Sequence, residues 1–156
     1  MLNETLDAIA DAVNPVLATL TLVFPLINQE AVRKHGSAWS FWGRTLVSLM
    51  VVYGILFADD RFGLWLRFGL DYSTHTAFAV AIITSLAMVS FRWLFFLIPL
   101  LIAYAGLMMY LGYHSLTDIL TAALVIAPIT WWIQRIGRGG GPTAANAPQN
   151  WKRSSP

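Results

Sequence analysis

The chain has 156 residues, of which 12% are charged and 57% hydrophobic, and its mean hydropathy is +0.61. A soluble domain usually carries about 25% charged residues, so this composition excludes disorder for most of the chain and argues against an ordinary water-soluble domain. The net charge of +2 is small and the sequence has 0 cysteines. Disulfides, thiolate metal sites and thiol nucleophiles are therefore excluded, and a pI near 9.2 on so small an excess gives no reason to expect a nucleic-acid partner.

In chain order, the first thirteen residues carry Glu4, Asp7 and Asp11 and no Lys or Arg, the wrong charge for a cleaved signal peptide. Asp7 and Asp11 share one helical face and Leu6, Ile9, Ala10 and Val13 the other, which predicts a short amphipathic helix at a membrane interface. Five apolar segments follow, at about 14–28, 41–58, 73–91, 93–113 and 115–133. A spanning helix needs roughly 20 such residues. Pro15 and Pro25 fall in the first, which is short; Pro99 and Pro128 are expected to kink the fourth and fifth. The fold class is all-α, a polytopic membrane bundle of about five transmembrane helices plus the N-terminal interfacial helix. Residues 1–136 form the membrane-embedded domain. Residues 137–156, GRGGGPTAANAPQNWKRSSP, lack apolar periodicity and read as a flexible tail.

Lys and Arg residues set orientation. Arg33, Lys34, Arg44, Arg92, Arg135, Arg138, Lys152 and Arg153 fall on one side, and Arg61 and Arg67 on the other. The expected topology places the N-terminus outside and the C-terminus in the cytoplasm. The expected location is the cell membrane, the inner membrane in a bacterium. Trp39, Trp42, Trp93, Trp131 and Trp132 flank the cytoplasmic ends as an aromatic belt.

The polar residues within or beside the apolar segments are the chemical signal. Asp118 is the only acidic residue inside any of the five, and such a carboxylate costs about 2.5–3.5 kcal/mol on insertion scales. His114 lies four residues earlier, and on a helix the two share a face. The carboxylate can then orient the imidazole and leave one nitrogen as nucleophile or base. The stretch Tyr72-Ser73-Thr74-His75-Thr76 opens the third segment on the same side, with Ser73 and Thr74 as helix caps whose free N–H groups could hold an anion. Arg61 and Arg67 are the outer cations, available to a phosphate or to Asp59 and Asp60. His35 lies on the opposite side and is given no role. Two histidines and an aspartate on one membrane face are the constellation for covalent group transfer.

At these residues the sequence resembles the type 2 phosphatidic acid phosphatase superfamily, integral-membrane lipid phosphatases and phosphotransferases. That family's second motif, Pro-Ser-Gly-His-Ser/Thr, corresponds to residues 72–76; the His and Asp of its third motif correspond to His114 and Asp118. The resemblance implies His114 as the nucleophile that forms a phosphohistidine, Asp118 as its orienting group, and His75 as proton donor to the leaving oxygen. It implies a site open to the extracytoplasmic side, a membrane lipid phosphate as substrate, and no metal or other cofactor. The third-motif Ser-Arg falls on Leu107 and Met108, the second-motif glycine is Thr74, and the first motif has no match. Arg61 and Arg67 are then substitute phosphate-binding residues with Ser73 and Thr74, or a second copy or partner membrane chain supplies the missing cations and a sixth helix. Relatives of the sphingomyelin synthase type also lack that arginine, and Asp71-Tyr72 is similar to the Asp-Tyr before their second motif. The expected activity is hydrolysis of a lipid phosphate or pyrophosphate. The alternatives are a phosphotransferase with the same triad and a catalytically weak membrane scaffold or transporter component.

Overall fold

Backbone groups in a hydrocarbon medium must be satisfied within their own segment, and this chain does so with helices. The structure is a computed structural model and describes residues 2–136; the expected tail at 137–156 lies outside the described residues. The helices are α1 (Leu2–Ile27), α2 (Gln29–Arg33), α3 (Ala38–Phe62), α4 (Thr74–Val89), α5 (Leu94–Tyr110) and α6 (Leu116–Arg135). Short 3₁₀ turns occupy Leu66–Phe68 and Phe91–Trp93. Four helical stretches are long and apolar enough to cross a membrane: Asn3–Ile27, Ala38–Phe62, Phe91–Tyr110 and Leu116–Arg135. The fifth apolar helix, α4, is shorter.

The N-terminus differs from expectation. No separate interfacial helix precedes the first span; Asp7, Asp11, Pro15 and Pro25 all lie in the one helix α1. A proline deletes one helical hydrogen bond and crowds the preceding turn. Around Pro15 the Thr19 and Thr21 hydroxyls donate to the carbonyls of Pro15 and Leu17, both at 2.9 Å. Pro99 and Pro128 likewise lie within uninterrupted helices.

Helix ends are set locally. Ser37, Ser73 and Ser115 each accept a backbone N–H from their own first turn. Gly63 ends α3 with φ 60, a conformation that costs a residue with a Cβ.

Contacts between elements make α4 the hub: it packs against α1, α3, α5 and α6. Its Ala77, Ala79 and Ala81 are fully buried, and such small side chains let backbones approach closely. At 16 residues α4 spans about 24 Å, less than the roughly 30 Å of a hydrocarbon core. Its surroundings explain the shortfall, because neighbouring helices rather than lipid cover it. The outer helices turn large apolar side chains outward: Phe57 is 73% exposed, Phe95 80% and Leu124 73%. In water such a surface would aggregate; against lipid it is the expected one.

Two cross-helix bonds fix the direction of α1. Tyr113 donates to Asp7 at one end, and Trp42 Nε1 donates to the Thr21 carbonyl towards the other. With the α3-to-α4 and α5-to-α6 turns, these show that α1, α4 and α6 run one way and α3 and α5 the other. The bundle thus has a His114 end and a Gln134 end.

At the Gln134 end a buried polar network joins three helices. Gln134 Nε2 donates to Thr45 Oγ1 (3.2 Å) and Ser85 Oγ (2.9 Å). Arg44 Nε donates to Gln134 Oε1 (3.4 Å), and its other nitrogens reach the carbonyls of His35 (3.1 Å) and Ile136 (3.5 Å).

Candidate functional site

The His114 end is built from the starts of α4 and α6, which lie side by side, and from the segment leading into α4. The α6 start is a capping box: Ser115 Oγ accepts from the Asp118 N–H, and Asp118 Oδ2 accepts from the Ser115 N–H at 2.8 Å and Oγ–H at 2.6 Å. The other oxygen, Oδ1, accepts from the Asp71 backbone N–H at 2.8 Å. Asp118 is therefore buried with both oxygens engaged, one with its own helix and the other with the segment leading into α4.

This corrects one expectation. His114 and Asp118 do not share a helical face, because α6 begins at Leu116 and His114 lies in the turn before its cap. The carboxylate beside the His114 ring is that of Asp71, whose Oδ2 lies 3.1 Å from Nδ1. That distance suits an ion pair, but the contact is not aligned as a hydrogen bond, and the buried Nδ1 has no hydrogen-bond partner among the described residues. The His114 side chain is only 11% exposed and that of Asp71 71% exposed. The ring is largely enclosed while the aspartate carboxylate faces outward. Asp71 was not legible as the partner of His114 because it lies 43 positions away in sequence; its signals were a charge two residues before the α4 cap and its place in the Asp71-Tyr72 pair.

His75 is the second residue of α4, half-buried, and its ring takes no hydrogen bond among the described residues. Thr74 is the first residue of α4. Ser73 is the cap, as expected, but it is buried; its hydroxyl donates to Thr76 Oγ1 at 2.9 Å. It organises the turn from within and cannot itself meet a ligand.

Arg61 lies in the last turn of α3 and Arg67 in the 3₁₀ turn, both exposed. Among the described residues neither pairs with Asp59 or Asp60. Asp59 instead accepts the Trp65 backbone N–H at 2.7 Å. Trp65 anchors the loop: its Nε1 donates to Thr121 on α6 at 3.0 Å, and its ring meets Tyr72 edge-on at 4.8 Å. Burial first, and then the charge of Asp59, push the Tyr72 hydroxyl well above the usual phenol range. It stays protonated and donates to the Val52 carbonyl at 3.3 Å.

The charge at this end is mostly negative. Glu4, Asp7, Asp11, Asp59, Asp60, Asp71 and Asp118 lie here, against Arg61 and Arg67. Surface grooves line α1 at Pro15–Ile27, the α1–α3 seam around Trp39 and Trp42, and the loop face of Trp65, Phe68 and Thr121. None of these three includes His75, His114 or Asp118.

Compared with known proteins, the chain matches no family model, no curated protein and no solved structure.

Proposed function

We propose that this membrane bundle is a lipid phosphatase acting through a histidine nucleophile at the His114 end. The observation that carries the reading is the tie between Asp71 and Asp118, which joins the segment leading into α4, whose second residue is His75, to the first turn of α6, which follows His114. The resemblance to the phosphatidic acid phosphatase superfamily supports the chemistry. His114 Nε2 attacks phosphorus as the P–O bond to the lipid breaks, and protonated His75 gives its proton to the leaving oxygen. Water then attacks the phosphohistidine. The N–P bond breaks, His75 takes the proton from water, and inorganic phosphate leaves. Charge on the transferred group falls to Arg67 and Arg61, which matter more for being the only Lys or Arg among the described residues of an acidic end.

The uneven distribution of Lys and Arg supports an extracytoplasmic His114 end and a cytoplasmic Gln134 end. The direct test is phosphate release from a panel of lipid phosphates in detergent, with wild type beside His114→Ala. Activity lost in the variant supports the reading, and full activity in it ends the nucleophile assignment.

A non-catalytic membrane scaffold is the second reading. It is favoured by the engagement of Asp118 as a helix cap, since a capping box needs no substrate to explain it. The same assay separates the two, because a scaffold releases no phosphate from any lipid.

A further inference from the structure

We propose that Asp71 is the positioning residue for His114, holding a proton on Nδ1 so that Nε2 is left with the reactive lone pair. The proposal rests on the histidine-nucleophile reading above. Asp118, the residue the sequence motif assigns to this role, is already occupied. Its two oxygens accept from the Asp71 N–H, the Ser115 N–H and the Ser115 hydroxyl. Asp71 Oδ2 stands 3.1 Å from Nδ1. Its backbone is pinned by Asp118 while its carboxylate remains exposed and able to rotate into line. The histidine side needs that alignment, because its buried Nδ1 has no hydrogen-bond partner among the described residues and so carries an uncompensated desolvation cost.

The consequence is chemical. Neutral imidazole has one proton and two nitrogens, and a carboxylate at Nδ1 draws the proton there. The lone pair then lies on Nε2. When Nε2 bonds to phosphorus the ring becomes cationic, and the negative charge of Asp71 stabilises it. Asp118 acts one step further back: through the Asp71 N–H it holds the residue that holds the histidine. Because Asp71 is open to solvent, its field is screened more than that of a buried aspartate.

The test uses the full chain in detergent micelles with ring-¹⁵N histidine. With 3 histidines in the sequence, His114→Gln assigns the relevant ring. The expected wild-type state is Nδ1–H. Asp71→Ala should shift it to Nε2–H, the form free imidazole prefers. Asp71→Glu should restore Nδ1–H, and Asp118→Asn should leave it unchanged. Asp71→Ala keeps the backbone N–H that Asp118 accepts, so the helix cap survives the substitution. A wild-type Nε2–H ring, an unaltered ring in Asp71→Ala, or a switch in Asp118→Asn alone overturns the proposal.

Turnover of phosphatidic acid in mixed micelles gives the second readout. Asp71→Ala should lower kcat by about tenfold or more with KM unchanged, and Asp71→Glu should recover part of it. An active wild type whose kcat is untouched by Asp71→Ala also overturns the proposal. A wild type silent on every lipid phosphate, with the tautomer switch intact, overturns the phosphatase reading and leaves the positioning role standing.

Discussion

The backbone N–H of Asp71 donates to Oδ1 of Asp118 across 47 positions of sequence at 2.8 Å. One carboxylate therefore caps its own helix and fastens the entry to a second. Replacing Asp118 should then cost stability before it costs chemistry. Asp118→Ala removes the reciprocal half of the capping box and leaves the Asp71 and Ser115 N–H groups unpaired at about 1–3 kcal/mol each where buried. The expected result is a lowered Tm in detergent for Asp118→Ala and a smaller drop for Ser115→Ala, the loss of an N-cap at about 1 kcal/mol. Equal Tm values for wild type and Asp118→Ala would remove the capping account.

Arg67 and Arg61 are exposed and unpaired with the nearby aspartates among the described residues. If they serve a phosphate, Arg67→Ala should lower turnover strongly, on the order of 100-fold for loss of one preorganised transition-state contact. Arg67→Lys should fall between, because lysine cannot grip two phosphate oxygens at once. Arg61→Ala should be milder, since Arg61 sits beside Asp60 at the end of α3 while Arg67 rides on the turn anchored by Trp65. Unchanged turnover in both alanine variants would send the search for charge to a partner chain.

Gln134 donates to Thr45 and Ser85, yet both hydroxyls keep bonds to their own helices, to the Phe41 and Ala81 carbonyls. Gln134→Leu therefore strands no hydroxyl, and Arg44 keeps the His35 and Ile136 carbonyls. The expected loss is about 1 kcal/mol, near that of an interhelical hydrogen bond in a membrane. Arg44→Leu should cost more, because it unties both segments flanking the network. Chemical unfolding in mixed micelles reads the two differences.

Tyr104 is 3% exposed and its hydroxyl has no hydrogen-bond partner among the described residues. Removing that hydroxyl relieves a desolvation cost, so Tyr104→Phe should leave Tm unchanged or raise it, by up to about 1 kcal/mol of stability. A clear loss of stability in Tyr104→Phe would show that the hydroxyl has a partner after all.

The eight-to-two division of Lys and Arg predicts that a reporter fused after Pro156 behaves as cytoplasmic and one inserted between Asp59 and Arg61 as external. The opposite result would invert the bundle and place the histidines in the cytoplasm.

The sequence by itself determined what depends on neighbours along the chain. Apolar runs of spanning length must become helices in hydrocarbon, so the all-α bundle and its segments were legible. Ser73 and Ser115 announced two helix starts because capping is a contact within one turn. The tertiary structure decided what depends on residues far apart. It made α4 the hub, since only the packed bundle shows which apolar helix is covered on every side. It also merged the acidic N-terminal stretch into α1, where Tyr113 reaches Asp7 from the far end of α5. The same cause divided the two aspartates. Asp118 was visible as a rare carboxylate, but its partners lie at the α4 entry and in its own cap. The carboxylate beside His114 turned out to be Asp71, because hydrogen-bond geometry is settled by where folded segments meet.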